Sequence, residues 1–267
     1  MKTRLTLLIT AGLLLILALL PVYARWLEEP FLLTFSTRAL VLALAALSLN
    51  IVLGFGGMVS FGHALYLGLG AYSVGILASH GVDNGALQLL ITVVLCGLVG
   101  LATGWVSLRT SGIGFIMITL AFAQMFYYLF VSLKQYGGDD GLSISLRSNL
   151  LGLNMAEPLT LYYTAFACVL AVVVWTQHMV HAPFGMVLQA CRMNERRMNA
   201  LGFHTLRYKL SAYVLSCVIA GVAGFLYANL TGYASPAYLA WTVSGELIVM
   251  VVLGGMGTVM GPLVGTL

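Results

Sequence analysis

The sequence predicts an all-α, polytopic membrane protein that crosses the bilayer about eight times, with glycine-rich, broken helices among its spans. Hydrophobic residues make up 61% of the chain and charged residues only 7%, where a soluble domain carries about 25% charge. The apolar runs are about 20 residues long, the length a helix needs to cross the hydrocarbon core. They are not the alternating ten-residue stretches of a membrane barrel. Mean hydropathy is +1.01. A backbone in lipid must satisfy its own hydrogen bonds, so such runs become helices.

The segments run in order over 5–23, 36–53, 61–79, 86–108, 113–133, 159–177, 210–230 and 246–267. The first follows Lys2 and Arg4 and closes on Val22-Tyr-Ala24, which has the texture of a signal-peptide cleavage site. Its apolar run is long for a signal peptide, and removing it would leave the topology of the rest unchanged. The second and third segments are joined by a glycine-rich string, Gly54–Tyr72, beside the polar trio Asn50, Ser60 and His63. Glycine clusters at membrane depth permit broken helices and close packing. The last segment has a related string: Leu253-Gly-Gly-Met256 matches Leu53-Gly-Phe-Gly-Gly-Met58 as a weak internal repeat. Gly100 and Gly104, and again Gly257, Gly261 and Gly265, stand four apart on one helix face. Such faces serve helix packing within a chain or between subunits.

The longest loop on its side, Lys134–Pro158, contains Tyr136-Gly-Gly-Asp-Asp-Gly-Leu142. It lacks the alternating oxygen ligands of a calcium loop and reads as a surface that meets something outside the membrane. Residues 178–209 form the one long polar, basic segment, with Arg192, Arg196, Arg197, Arg207 and Lys209 against Glu195. Within it Cys191–Gly202 has good helix formers and closes on a glycine. The stretch is either a docking helix for a cytoplasmic partner or a solvated connector.

The positive-inside rule orients these segments. With the N-terminus in the cytoplasm, that side collects Lys2, Arg4, Arg109, Arg192, Arg196, Arg197, Arg207 and Lys209. Arg25, Arg38, Lys134 and Arg147 fall outside. Of the acids only Glu195 is inside. Glu28, Glu29, Asp83, Asp139, Asp140 and Glu157 are outside, and Glu246 is expected at an outer helix end. The net charge of +4 therefore sets topology and does not imply nucleic acid. Cys96, Cys168 and Cys217 lie in apolar segments and Cys191 in the basic loop, which predicts four free thiols.

Several chemistries are missing. No G-x-x-x-x-G-K-[ST] string exists to cradle nucleotide phosphates, and G-x-S-x-G, H-E-x-x-H and C-x-x-C are absent too. The sequence thus assigns no catalytic residue, no cofactor and no metal site. His178 and His181 read as interfacial histidines. Ionisable residues are scarce within the spans, which disfavours proton coupling and favours a pore whose energy arrives from elsewhere. Ser60, His63 and Gln124 are the candidate lining of a translocation path, because polar groups avoid hydrocarbon.

Five strings, in order, resemble the permeases of branched-chain amino-acid ABC importers. They are Gly54-Phe-Gly-Gly-Met-Val-Ser-Phe-Gly-His-Ala64, Ser111–Met125, Gly137-Gly-Asp-Asp-Gly-Leu142, Asn194–Gly202 and Ser244–Thr258. The resemblance runs from about residue 36 to the C-terminus, and within the family it is to the longer of two permease types. It implies a multi-pass subunit of the bacterial inner membrane that forms a pore with a sister permease. Two cytoplasmic ATPase subunits would drive it, and a periplasmic binding protein would deliver leucine, isoleucine, valine or a related substrate. Residues 178–209 would then be the coupling loop, with Asn194, Glu195, Arg196, Arg197, Ala200, Leu201 and Gly202 in the coupling role. Met193 and Met198 stand where polar or small residues are expected. Family members run on past the Gly-Gly-Met-Gly string for two more apolar stretches, so a chain ending at Leu267 is expected to be short at its C-terminus. Relatives also carry ureas and short amides, and a passive channel is the reading from another class. A channel has no use for a docking helix, and an intramembrane enzyme would need a nucleophile or metal set that the sequence lacks.

Overall fold

A computed structural model describes residues 12, 16–23, 30–150 and 152–266. Most of the first predicted span, 5–23, lies outside them. The chain is all-α, as its composition requires. Helix α1 covers Pro30–Asn50 and continues through a π-helical turn, Ile51–Phe55, into an irregular stretch that ends where α2, His63–Ser79, begins. Then come α3 (Gly85–Ser107), α4 (Ile113–Ser132) and, after the outer loop, α5 (Pro158–His181). Two short helices, α6 (Pro183–Met193) and α7 (Glu195–Ala200), precede α8 (Thr205–Thr231). The described chain finishes with α9 (Trp241–Gly254) and α10 (Gly261–Thr266).

Among the described residues five helices are long and apolar enough to cross a membrane: 31–55, 85–107, 113–132, 158–181 and 205–231. Helices α2 and α9 are apolar but shorter, so these residues do not supply eight full spans. The glycine-rich strings are the cause. They interrupt the chain between α1 and α2 and again between α9 and α10.

Helix α8 is the axis of the bundle and packs on α1, α2 and α3. It can do so because the contacts are backbone against backbone. A Cβ on Gly70 would strike the Gly221 carbonyl, and one on Gly224 the Leu67 carbonyl. On α3, a Cβ at Gly104 would lie 2.7 Å from the Tyr213 ring and one at Gly100 2.9 Å from Cys217 Cβ. The Gly100/Gly104 face is therefore used inside the chain. The same holds for Gly261 and Gly265, whose Cβ positions would collide with α9 and the turn that follows it. Helix α10 folds back on α9 and also against α1. Helices α3 and α4 turn apolar faces outward, among them Leu90, Leu98, Ile113 and Met117. Such faces suit lipid or another subunit.

The loop between α4 and α5 is stitched to the bundle. Strand β1 (Leu142–Ser143) pairs antiparallel with β4 (Tyr233–Ala234), just beyond α8. Strands β2 (Asn149–Leu150) and β3 (Leu153–Asn154) form a small hairpin. Ser148 N–H donates to Asn229 Oδ1 at 3.1 Å, and its hydroxyl donates to Gln88 Oε1, both partners lying on helices.

The two helix breaks meet. Asn50 Nδ2 donates to the Thr258 carbonyl at 2.8 Å, and the Gly257 N–H donates to Asn50 Oδ1 at 3.0 Å. The related strings 53–58 and 253–256 thus lie against each other, joined by one buried amide. Gly54 is required here, because a Cβ would lie 2.6 Å from Gly257 N and overlap Asn50 Oδ1. Removing the amide would leave a donor and an acceptor unpaired at membrane depth, each costing about 1–3 kcal/mol. Asn50→Leu should lower the thermal unfolding midpoint in detergent by several degrees, whereas a lipid-facing change such as Leu98→Ala should not. An unchanged midpoint would show that the joint is dispensable.

Candidate functional site

Two regions carry the polar chemistry: a buried cluster at the start of α2, and the loop from α5 to α8.

The cluster holds α2 to three neighbours. Ser216 of α8 donates its only hydroxyl proton to the Ser48 carbonyl, so the 2.6 Å contact between its oxygen and His63 Nε2 makes His63 the donor. Tyr66 OH lies 2.7 Å from Thr103 Oγ1 and 3.1 Å from Tyr213 OH. The rings of His63, Tyr66 and Tyr213 meet edge to face, with centroids 6.1 Å apart in each pair. The Ser60 hydroxyl lies close to Tyr213 and accepts from Gly62 N–H at 3.3 Å. Outside this group, Ala64 N–H donates to Ser244 Oγ on α9 at 2.9 Å, and Phe61 N–H to Thr119 Oγ1 on α4 at 3.2 Å. Of the three predicted path residues, Ser60 and His63 come together here and are fully buried. Gln124 stands half-buried on α4 and joins none of these hydrogen bonds. The cluster has no activated nucleophile. It ties the start of α2 to α1, α3 and α8, and the Ser244 and Thr119 contacts add α9 and α4.

Sequence reasoning missed Tyr66, Tyr213 and Ser216. A signal was present: Tyr213 and Ser216 are spaced i, i+3, which puts two polar groups on one face of an apolar helix.

The loop region begins with Pro183 in the first turn of α6, where its missing N–H costs nothing. Helix α6 runs to Arg192, whose guanidinium donates to the Gly54 carbonyl at the first helix break. Its stem lies along the break, since a Cβ on Gly57 would be 2.6 Å from Arg192 Cγ. Asn194 then caps α7, its Oδ1 accepting from Arg197 N–H at 3.0 Å. At the other end Gly202 takes φ +89°. Its N–H donates to the Asn199 carbonyl at 3.0 Å, and Phe203 N–H to the Met198 carbonyl at 3.1 Å. This is a complete Schellman closure.

Glu195 faces inward. It forms an ion pair with Lys209 of α8 at 2.5 Å and accepts from Thr205 Oγ1 at 3.1 Å. Thr205 Oγ1 also lies 3.0 Å from Asn199 Oδ1. Met198 is buried beneath the helix, while Met193 is 83% exposed. Exposed on the outer surface are Asn194, Arg196, Arg197, Ala200, Leu201 and Gly202. The coupling set proposed from sequence therefore divides: Glu195 anchors the helix to α8, and the others face outward. A cavity of about 470 Å3 lies between this loop, the first break and the α3–α4 turn, lined among others by Gly57, Arg109, Arg192, Glu195 and Lys209.

All four cysteines are free. Burial pushes the Cys191 thiol above its ordinary range. Among the described residues, no group of three or more His, Cys, Asp or Glu could hold a metal. Glu246 needs a correction. It lies five residues inside α9 rather than at its end, because the turn Pro236–Leu239 lets that helix start at Trp241.

Comparison with known proteins adds the lineage. A family model described as "Branched-chain amino acid transport system / permease component" matches residues 31–267. The high-affinity branched-chain amino acid transport system permease protein LivM of Salmonella typhimurium is 27% identical over 276 residues, covering 91% of this chain and 63% of the relative. LivM of Escherichia coli K12 is 26% identical, with the same coverage of both chains. The permease protein LivH of Escherichia coli K12 is 25% identical over 242 residues, covering 84% of this chain and 78% of LivH. The chain thus spans 63% of the length of these LivM proteins. No solved structure matches it significantly. With multiple apolar helices and a family match over residues 31–267, this multi-pass membrane protein belongs to the permease-component family of branched-chain amino acid transport systems.

Proposed function

We propose that this chain is the membrane-spanning pore subunit of an ATP-driven importer of branched-chain amino acids. It works beside a sister permease, with two cytoplasmic ATPase subunits and a periplasmic binding protein, in the bacterial inner membrane with its N-terminus in the cytoplasm. Residues 1–267 act as one transmembrane permease domain, and 178–209 as its coupling loop. The observation that carries this reading is α7: a six-residue helix, capped at both ends, tied to α8 through Glu195, with Arg196, Arg197, Ala200 and Leu201 exposed. A connector has no need of two caps and an ion pair to present a basic, apolar tip. A helix that docks on another protein does. The names of the LivM and LivH relatives support the substrate class, and the missing phosphate cradle supports a separate source of energy. Ser60, His63 and Gln124 remain the proposed polar residues of the path, with Ser60 and His63 at the hinge between α1 and α2.

The docking surface predicts two variant classes. Leu201→Asp, or Arg196→Glu combined with Arg197→Glu, should strip the ATPase from the purified complex while the sister permease stays bound. The Leu201 change should weaken the contact by about 2–5 kcal/mol and a single rim charge by far less. Retention of the ATPase and of substrate-stimulated hydrolysis by both variants would make the loop a connector.

Orientation has its own test. Leu201→Cys places a thiol at a position that is 66% exposed, unlike the buried Cys191. An impermeant maleimide should label it in inside-out vesicles and not in intact cells with permeabilised outer membranes. The opposite pattern would invert the topology.

A further inference from the structure

We infer that Glu246 lies in the water-filled path between the two permease subunits and binds the ammonium group of the amino-acid substrate there, an assignment that rests on the importer reading above.

Helix α9 has two unlike faces. Ser244, Leu247 and Val251 are buried, and Ser244 accepts from the first turn of α2. The opposite face carries Thr242, Glu246, Val249 and Leu253, all exposed. Among the described residues, a Cβ added to the adjacent Gly245 would meet no atom within 4 Å. Glu246 itself makes no ion pair among the described residues, where the recorded one joins Lys209 and Glu195. It is also the only ionisable group in a helix whose other side chains are apolar or hydroxyl-bearing.

An unpaired carboxylate at that position does not face lipid tails. Ionisable residues in membrane helices turn toward a water-filled cavity or a partner charge. Trp241, half exposed at the head of α9, is the kind of aromatic that sits at the membrane interface. Glu246 then lies about 7 Å deeper, at 1.5 Å per residue. Helical side chains tilt toward the N-terminus of their helix. On the proposed topology that direction is the outer mouth, where an importer receives its cargo.

The neighbours of Glu246 supply the other half of the chemistry. Val249 and Leu253 follow one and two turns deeper on the same exposed face. A carboxylate above an apolar floor matches an ammonium group beside an alkyl side chain.

The test uses the assembled importer, with sister permease and ATPases, in proteoliposomes supplied with leucine-loaded binding protein. Glu246→Cys should react with a cationic, membrane-impermeant methanethiosulfonate at least tenfold faster than Leu98→Cys on α3, and transport substrate should slow that reaction. Glu246→Gln should lower leucine uptake per ATP hydrolysed at least tenfold, Glu246→Asp should restore part of it, and ATPase and sister permease should co-purify as before. An inert cysteine at 246 overturns the inference, and so does wild-type uptake by both Glu246→Gln and Glu246→Lys. Loss of the sister permease from Glu246→Gln would show that the carboxylate pairs with a cation of that subunit, which also overturns it. A wild-type assembly that moves no leucine while Glu246→Cys still labels fast would instead sink the importer reading.

Discussion

A backbone that unwinds at membrane depth has no water to turn to, and the architecture of this chain follows from how it meets that constraint. Two stretches leave the helical state, 56–62 after the π-helical turn and 255–260. Each would strand donors and acceptors in hydrocarbon if it stood alone. Placed against each other, they share Asn50, whose amide offers one donor and one acceptor to Gly257 and Thr258. The glycines are there because side chains would hold the two backbones apart. The remaining loose end, the Gly54 carbonyl, is taken by Arg192. A single buried joint therefore links the first half of the chain, the last described helices and the loop from α5 to α8.

The same logic places α8. A helix crossing three neighbours at close range needs small residues on several faces, and Gly221 provides one against Cys96 of α3 and Gly224 one against α2. Close approach then brings Tyr213 and Ser216 within reach of His63 and Tyr66, so the polar cluster is a product of glycine packing. His63 and Tyr66 find their side-chain partners on other helices, Ser216 and Tyr213 on α8 and Thr103 on α3. That makes the start of α2 a fixed point, although the chain just before it is irregular.

Composition and run length made the fold class legible, and the glycine strings marked the places where helices would fail. What the sequence could not supply was partners. Arg192 was counted with the charges that set topology, and its guanidinium serves a carbonyl 138 residues away. Glu195 read as a contact for another protein, and the structure adds its ion pair with Lys209. Glu246 looked terminal because apolar periodicity does not reveal that a short 3-10 turn at Pro236–Leu239 brings the helix start forward. In each case local pattern fixed the residue's address and not its direction, since direction depends on which distant element packs against it. Ser60 and His63 are neighbours in sequence, and the structure buries both at the start of α2. Gln124 was grouped with them on polarity alone.

The closure of α7 has a further consequence for recognition. Its first turn is capped by Asn194, its last by Gly202 and Phe203, and its flank is fastened to α8. Little conformational freedom remains to be lost when a partner arrives. Association with such a surface is not charged for ordering a loop, so the affinity available from a few exposed side chains is kept nearly whole. A patch as small as Arg196, Arg197, Ala200 and Leu201 can then work as a firm handle. Force applied there would reach the membrane bundle through the Glu195–Lys209 bridge instead of being absorbed by a slack tether.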